Sequence, residues 1–349
     1  MEDFTTSPFL LTATPETGAT WAGRPALKTK IDRLARSLVV RTDSTLDVVW
    51  ANFGSGKSHA LYYIAHSLQQ QAPTSVPVFV EVPEQMKNFL DLYRRLMPKL
   101  PWKRLAGLLN ADTSLPQHSQ LKRAARVIEH GNDHERALAY EWLFAGSVNL
   151  RDLKSLVGVQ TRIESDVHAT DILVELLASL SKQKVRVLLL FDEFQRIGAL
   201  PDRNRGPVLS NLRSLFSQNP TYLSVVLAFA TRLEKTAMDL VSAELRTLIG
   251  PRPIVSFPEM DVDEAMGFVR GRLKSFRPPS YSGDAFAPLQ EEIVREAVEF
   301  IATATNAKLI PRTILQALSV IYDEYLLSGE LVSSSAAKSL LSSLSWQEA

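Results

Sequence analysis

A chain of 349 residues with 45% apolar and 22% charged side chains is long enough for about two globular domains, and it is too apolar to be disordered throughout. Its 39 Lys and Arg balance 38 Asp and Glu, so no overall positive field attracts nucleic acid or an anionic membrane. The lack of cysteine excludes disulfides, thiolate zinc sites and cysteine nucleophiles, and it fits a reducing cytoplasm. Because neither a signal peptide nor a long apolar run is present, we expect a cytoplasmic protein without membrane contact.

The chain begins with a segment rich in Thr, Pro and Gly over residues 1–26. This composition predicts an extended lead-in that packs onto a later domain. Apolar residues then recur at helical spacing over 26–39, which predicts a helix. Its basic residues indicate a solvated face, with nucleic-acid contact as the alternative.

Wholly apolar runs that alternate with helical segments predict a parallel sheet covered on both faces. Five runs have this character: LDVVW, VPVFVEV, VRVLLLFDEF, LSVVLAFAT and RPIVSF. The fold class is therefore α/β with a five-stranded parallel sheet.

The interval between the second and third runs is roughly 100 residues, far more than a crossover between parallel strands needs. Amphipathic or capped segments fill it, so we predict a helical insertion at about 84–182. Four helical segments and no strand follow the fifth run. The predicted domains are thus the lead-in at 1–26, a core at 27–260 and an α-helical domain at 261–349.

The loop after the first run carries the strongest motif. Ala51 to Ser58 (ANFGSGKS) matches the phosphate-binding pattern GxxxxGK[ST] except at Ala51, where a small residue replaces glycine. Between a strand and a helix, its backbone N–H groups and the helix N-terminus form a positive cradle for phosphates, to which Lys57 adds a charge and Ser58 a hydroxyl for Mg²⁺. A neutral glycine loop is the alternative. The other residues expected at the nucleotide are Asn52, Phe53, Gly54, Ser55, Gly56 and His59, with plain packing as the alternative for His59.

Two further polar sites follow apolar runs. Asp192 and Glu193 end the third run, where ligands meet the carboxyl edge of a parallel sheet. Asp192 is expected to hold a Mg²⁺-bound water and Glu193 to orient and deprotonate the attacking water, whereas a helix cap or a surface acidic pair is the alternative. Thr231 follows the fourth run and is expected beside the γ-phosphate, while Arg232 is expected to be a surface or packing residue.

With these motifs in this order, the chain resembles AAA+ ATPases of the initiator-like branch, which includes origin-recognition proteins, transposition regulators and bacterial defence ATPases. The residues that carry the resemblance are WAGR, ANFGSGKSH, LLLFDEF, AFATR and AKLIPRTIL. It implies that Gly23 and Arg24 lie near the adenine and that Arg312, in a helical lid, reads the γ-phosphate. It also implies an arginine finger donated to a neighbouring subunit, for which Arg246 and Arg252 both fit, with a slight preference for Arg252; a surface arginine is the alternative for each.

A narrower resemblance is to the ATP-binding proteins of BREX-type phage-defence systems, and it rests on FGSGKSH, HERALAYEWLFAG, LKSLVGV and FDEFQRIG. The resulting hypothesis is an oligomeric, ATP- and Mg²⁺-dependent ATPase that acts on a DNA-associated assembly in phage defence or mobile-element control, with other subunits of such a system as partners. An ATP-loaded adaptor with little turnover is the alternative, and a small-molecule kinase is a more distant one. Local basic stretches at 122–126, 203–205 and 270–277 are the best candidates for DNA contact, although a solvated face is the expectation for each.

Overall fold

The computed structural model describes residues 4, 7–231, 239, 241, 243–250, 252–304 and 307–344. The five apolar runs form one parallel sheet with the spatial order β2-β3-β4-β1-β5. The strands are β1 (Thr45–Ala51), β2 (Val76–Glu81), β3 (Val187–Asp192), β4 (Leu223–Ala230) and β5 (Val255–Phe257). The predicted α/β fold class is therefore confirmed.

The central strands explain why their sequences are apolar throughout. Every residue of β3 and of β4 is buried, because both faces of these strands are covered. The register pairs Glu81, the last residue of β2, with Asp192, the last residue of β3. The two strands therefore end at the same level.

Helices precede and follow β1. A short helix, α1 (Pro15–Gly18), is capped by Thr14, and α2 spans Pro25–Val40, in agreement with the helix predicted over 26–39. The helix after the phosphate loop is α3 (Lys57–Gln71).

The segment between β2 and β3 is helical, as predicted. Two of its helices begin at these polar caps: Asn88 caps the first helix, and Asn132 forms a capping box with Glu135. Asp166 also accepts hydrogen bonds from the N–H groups of residues 89 and 90, so the start of the last helix fixes the start of the first. The elements are α4 (Phe89–Leu96), a 3₁₀ turn (Met97–Lys99), α5 (Trp102–Ala111), α6 (Gln120–His130), α7 (Asp133–Leu143), α8 (Leu150–Asp152), a π-helical turn (Leu153–Val157) and α9 (Asp166–Lys182).

The remaining helices lie after β3 and after β5. Between β3 and β5, the described residues form α10 (Gln195–Gly198), α11 (Asp202–Gln218) and α12 (Ala243–Ile249). The C-terminal helices are α13 (Val262–Ser275), α14 (Glu291–Thr303), α15 (Pro311–Ser328) and α16 (Ser334–Ser343). Within the part of the chain that is described, no helix is long and apolar enough to cross a bilayer.

The chain divides into two compact units. The first comprises Met1–Ala35, Trp50–Ser67 and Val255–Ala349, and the second comprises Arg36–Val49 and Leu68–Ile254. The domain limits predicted at residues 26 and 260 stay predictions.

Within the first unit, the beginning of the chain packs onto its end. Phe9 is buried in the apolar core that α13 to α16 form. The buried guanidinium of Arg272 on α13 donates hydrogen bonds to the carbonyl oxygens of Pro8 at 2.8 Å and Leu10 at 3.3 Å. This cation therefore has a structural partner in the N-terminal segment, and it does not belong to a solvated basic face.

The basic stretch at 122–126 is likewise partly internal. Lys122 is buried, and its Nζ donates to the carbonyl oxygens of Asp112 at 2.6 Å and Leu115 at 3.3 Å. Arg123 donates to the carbonyl oxygen of Gly158 at 2.6 Å. These two side chains hold insertion loops, so the expectation of a solvated face is wrong for Lys122.

Candidate nucleotide-binding site

The phosphate loop lies in the first unit between β1 and α3. Gly54 and Gly56 adopt left-handed backbone conformations with φ of 77° and 95°. Left-handed residues between right-handed ones turn successive backbone N–H groups toward the same concave surface. The first N–H groups of a helix such as α3 also lack an acceptor within the helix. Ala51, the departure from the motif, is completely buried as the last residue of β1. The loop thus has the backbone of an anion cradle.

Side chains of this loop fit a bound phosphate. Lys57 is buried, its Nζ donates to the carbonyl oxygen of Asn52 at 3.0 Å, and it lies 5.7 Å from the centre of the Phe53 ring. The buried Oγ of Ser55 has no hydrogen-bond partner among the residues that the structure describes. A buried hydroxyl without a partner is costly, and a phosphate oxygen would satisfy it. Ser58 follows Lys57 at the start of α3.

Arg24 holds this loop from outside the motif. Its guanidinium is buried, donates from Nη1 to the carbonyl oxygen of Ser55 at 3.2 Å, and donates from Nη2 to the carbonyl oxygen of Pro258. It also lies 5.8 Å from the centre of the Phe257 ring. Burial lowers the pKa of Arg24, and the negative charge of Glu264 opposes that shift. The described contacts of Arg24 are therefore with the backbone of the loop and with the end of β5.

Gly23, directly before Arg24, has a backbone conformation and a close contact that require glycine. Its φ is 58°, and a Cβ atom at this position would lie 2.6 Å from the Cα and N atoms of Phe268 on α13. The carbonyl oxygen of Gly23 accepts a hydrogen bond from Nε1 of Trp21 at 2.9 Å. Only glycine combines this backbone conformation with so close an approach.

Arg312 contacts the phosphate loop through its backbone. The N–H of Arg312 donates to the carbonyl oxygen of Gly54 at 3.1 Å, while the side chain of Arg312 is exposed.

His59 contacts the N-terminal segment. Nε2 of His59 lies 3.0 Å from the carbonyl oxygen of Thr17, and the centre of the His59 ring is 5.6 Å from that of Trp21. Burial is the main cause that lowers the pKa of His59. His59 thus packs against the N-terminal segment.

The acidic pair lies in the second unit, at the end of β3. Asp192 is buried, and its Oδ1 accepts a hydrogen bond from the N–H of Glu193 at 2.9 Å. Glu193 has a left-handed backbone with φ of 56°. Its Oε2 accepts a hydrogen bond from Nε2 of Gln195 at 2.6 Å and lies 4.0 Å from Nε of Arg196. The two carboxylates therefore have different surroundings.

Thr231 directly follows β4, the strand that neighbours β3, and it is buried. Arg232 lies outside the described residues.

In the described part of the chain, no three His, Cys, Asp or Glu side chains gather into a metal site. A Mg²⁺ ion that arrives with a nucleotide needs only one or two protein oxygens, and the Ser58 hydroxyl and Asp192 carboxylate are of the required type.

A family model described as an AAA domain matches residues 41–236, which is more than half of the chain and includes both the phosphate loop and the acidic pair. The chain belongs to the AAA domain family. No curated protein sequence matches this AAA chain significantly.

Solved structures of initiator proteins share the fold of this AAA chain. The ORC2 protein of Aeropyrum pernix, in ADPNP and ADP complexes, is 11% identical with a TM-score of 0.62, covering 97% of this chain and 72% of that one. The ORC1 protein of Aeropyrum pernix in complex with DNA is 13% identical with a TM-score of 0.57, covering 98% and 70%. Drosophila ORC bound to DNA is 13% identical with a TM-score of 0.51, covering 97% and 66%.

The two arginines considered for a neighbouring AAA subunit differ in their surroundings. Arg252 donates to the carbonyl oxygen of Leu46 at 3.1 Å and lies 3.6 Å from Asp47, so its guanidinium contacts β1 of its own chain. Burial raises the pKa of Asp47, and the charge of Arg252 opposes that shift. Arg246 on α12 is more exposed and lies 3.7 Å from Asp239.

Sequence reasoning did not identify Gln195 or the contacts of Arg24. Gln195 directly follows the FDEF motif, but nothing in its spacing indicates a contact with the carboxylate of Glu193. The WAGR motif drew attention to Arg24, whereas its carbonyl partners come from segments distant in sequence.

Proposed function

We propose that this AAA chain binds ATP with Mg²⁺ and hydrolyses it at the γ-phosphate. The observation that carries the proposal is the phosphate loop, in which two left-handed glycines, the buried Lys57 and a Ser55 hydroxyl without a partner among the described residues surround one anion cradle. The nucleotide complexes of the similar ORC2 protein support the same assignment.

Each site residue has one proposed role. Lys57 and the loop N–H groups bind the β and γ phosphates and stabilise negative charge that develops on them. Glu193 orients a water molecule for in-line attack and takes its proton, and Thr231 helps to position that water. Ser58 and Asp192 would hold Mg²⁺, which when bound neutralises phosphate charge.

The roles proposed for arginines and for adenine contact rest on the family resemblance. Arg312 would sense the γ-phosphate from the helical C-terminal region, and Gly23 and Arg24 would lie next to the adenine base. A trans arginine would complete the site of a neighbour in a homo-oligomer. The side chain of Arg246 is more exposed than that of Arg252, which favours Arg246 for the trans role.

We further propose that the ATPase cycle switches a DNA-associated assembly. The similar ORC structures that are bound to DNA support a DNA-linked role. A place in phage defence or mobile-element control rests on the sequence motifs alone, as does a cytoplasmic location. Lys122 on α6 and Arg272 on α13 are buried, so DNA contact through these helices would rest on their exposed cations Arg126, Arg270 and Lys274.

The test is ATP hydrolysis by wild type and by Glu193→Gln, with and without double-stranded DNA, while light scattering follows the mass. Glu193→Gln should lower kcat by about a hundredfold or more and retain ATP, because removal of a general base costs about 10² to 10⁴ in rate. The matched control is Glu164→Gln, an exposed carboxylate of the insertion, which should hydrolyse ATP like wild type. If wild type binds ATP, stays monomeric and never releases phosphate, the ATP-loaded adaptor replaces the ATPase.

A further inference from the structure

The side chain of Gln195 connects two strand ends in the second unit. Its Nε2 donates to Oε2 of Glu193 at 2.6 Å, and its Oε1 accepts from the backbone N–H of Ala230 at 2.9 Å. A carboxylate only accepts and an N–H only donates, so both partners require the same orientation of the amide. Glu193 directly follows β3 and Ala230 is the last residue of β4.

The backbone at Glu193 makes this connection necessary. A left-handed φ of 56° is uncommon for a residue other than glycine, and it ends the extended backbone of β3 at Asp192. The N–H of Glu193 is already engaged by Asp192, and the N–H of Phe194 donates to the carbonyl oxygen of Ala228 at 2.9 Å. These bonds fix the backbone but not the carboxylate.

Arg196 is the second group that faces Glu193. It lies 4.0 Å from the Glu193 carboxylate, but its shorter contacts are with Glu81 at 2.9 Å and with the carbonyl oxygen of Val82 at 2.6 Å, and it also approaches Glu84 at 3.3 Å. Arg196 therefore fastens α10 to the end of β2. The short hydrogen bond to Glu193 comes from Gln195.

We propose that Gln195 is a positioning residue that orients the Glu193 carboxylate and ties it to the end of β4, immediately before Thr231. The inference rests on the proposed ATPase function and deepens it. Gln195 itself takes no proton and acts only through Glu193. Because Thr231 follows Ala230 directly, the same amide fixes the positions of both residues proposed to place the attacking water.

The test compares two substitutions. Gln195→Met has a similar length but removes both hydrogen bonds, whereas Gln195→Glu keeps an acceptor for Ala230 and sets a negative charge against Glu193. Both should lower kcat by about tenfold to a hundredfold, since misplacement of a catalytic group by about 1 Å has effects of that size. The KM and the Kd for ATP should stay within about twofold, because Gln195 contacts no residue of the phosphate loop in the described structure.

Two controls separate positioning from general damage. Gln183→Met removes a glutamine whose amide donates to carbonyl oxygens of Leu108 and Ser179, and it should leave kcat unchanged. In a Glu193→Gln background, Gln195→Met should cause no further loss, because residues that act as a unit are not additive. An undiminished kcat in Gln195→Met, or full additivity, would overturn the proposal.

Hydrogen exchange at the Ala230 amide tests the link without relying on hydrolysis. Exchange should accelerate in Gln195→Met and stay slow in Gln195→Glu, which retains the acceptor. Equal exchange in wild type and Gln195→Met would show that Gln195 does not hold the end of β4. If wild type proves unable to hydrolyse ATP, the proposed function and the catalytic part of this inference fail, while the exchange data still decide the structural link.

Discussion

Replacing Gly23 by alanine is expected to destabilise the first unit by about 3 kcal/mol. An alanine in the left-handed region costs about 1 to 2 kcal/mol. The new Cβ would also lie 2.6 Å from the Cα and N atoms of Phe268 and 3.1 Å from the carbonyl carbon of Gly267. These are backbone atoms of α13 that cannot rotate away, so the segment must move off the helix, and overpacking of this kind costs about 1 to 3 kcal/mol.

Thermal unfolding measures this effect. A loss of about 3 kcal/mol corresponds to a Tm decrease of roughly 6 to 12 °C for a unit of this size. The matched control is Gly267→Ala on the same helix, where a Cβ would lie more than 4 Å from every described residue outside the neighbouring helix backbone, and it should raise stability by up to about 1 kcal/mol. If Gly23→Ala melts together with wild type, the close crossing at Gly23 is refuted.

Two further predictions concern neighbouring groups. Arg24→Lys cannot reach both the Ser55 and Pro258 carbonyl oxygens, so we expect a loss of about 1 to 3 kcal/mol and weaker ATP binding; an unchanged Kd for ATP would contradict the proposed hold on the loop. The lowered pKa of His59 means that the folded state favours its neutral form, so its contribution to stability is complete above the ordinary value of 6.5 and is lost as the pH falls through the lowered pKa. Between pH 7 and pH 5, Tm should therefore decrease more for wild type than for His59→Gln, and parallel pH profiles would exclude this role.

The strands could be predicted because burial on both faces leaves a continuous apolar run, as β3 and β4 demonstrate. A helix with breakers in its sequence was harder to predict. α11 has Gly206 and Pro207 in its first half and was not predicted as a helix, whereas α5, which contains Gly107, lies inside the insertion predicted to be helical. The packing of α11 against α9 outweighs its local preferences.

The site divides in a similar way. The phosphate loop and the acidic pair are local motifs, so Lys57 and Glu193 could be proposed from the sequence alone. The partners of Gln195 and Arg252 depend on which strands become neighbours, and the strand order was not contained in the local pattern. Lys122 illustrates the same limit, since its burial against two carbonyl oxygens cannot be read from a basic stretch.

The hydrogen bonds between Arg272 and the carbonyl oxygens of Pro8 and Leu10 make the start of the chain part of the fold of its last quarter. Burial lowers the pKa of Arg272 to about 10, so the guanidinium stays charged at neutral pH and the two carbonyl oxygens replace hydrogen bonds to water that it has lost. A shortened protein beginning at α2 would lack Phe9, which would expose the part of the apolar core that Phe9 covers, and Arg272 would lose both carbonyl acceptors. Expression of the C-terminal helices for biophysical work therefore requires residues 7–11 to be supplied, in cis or as a peptide.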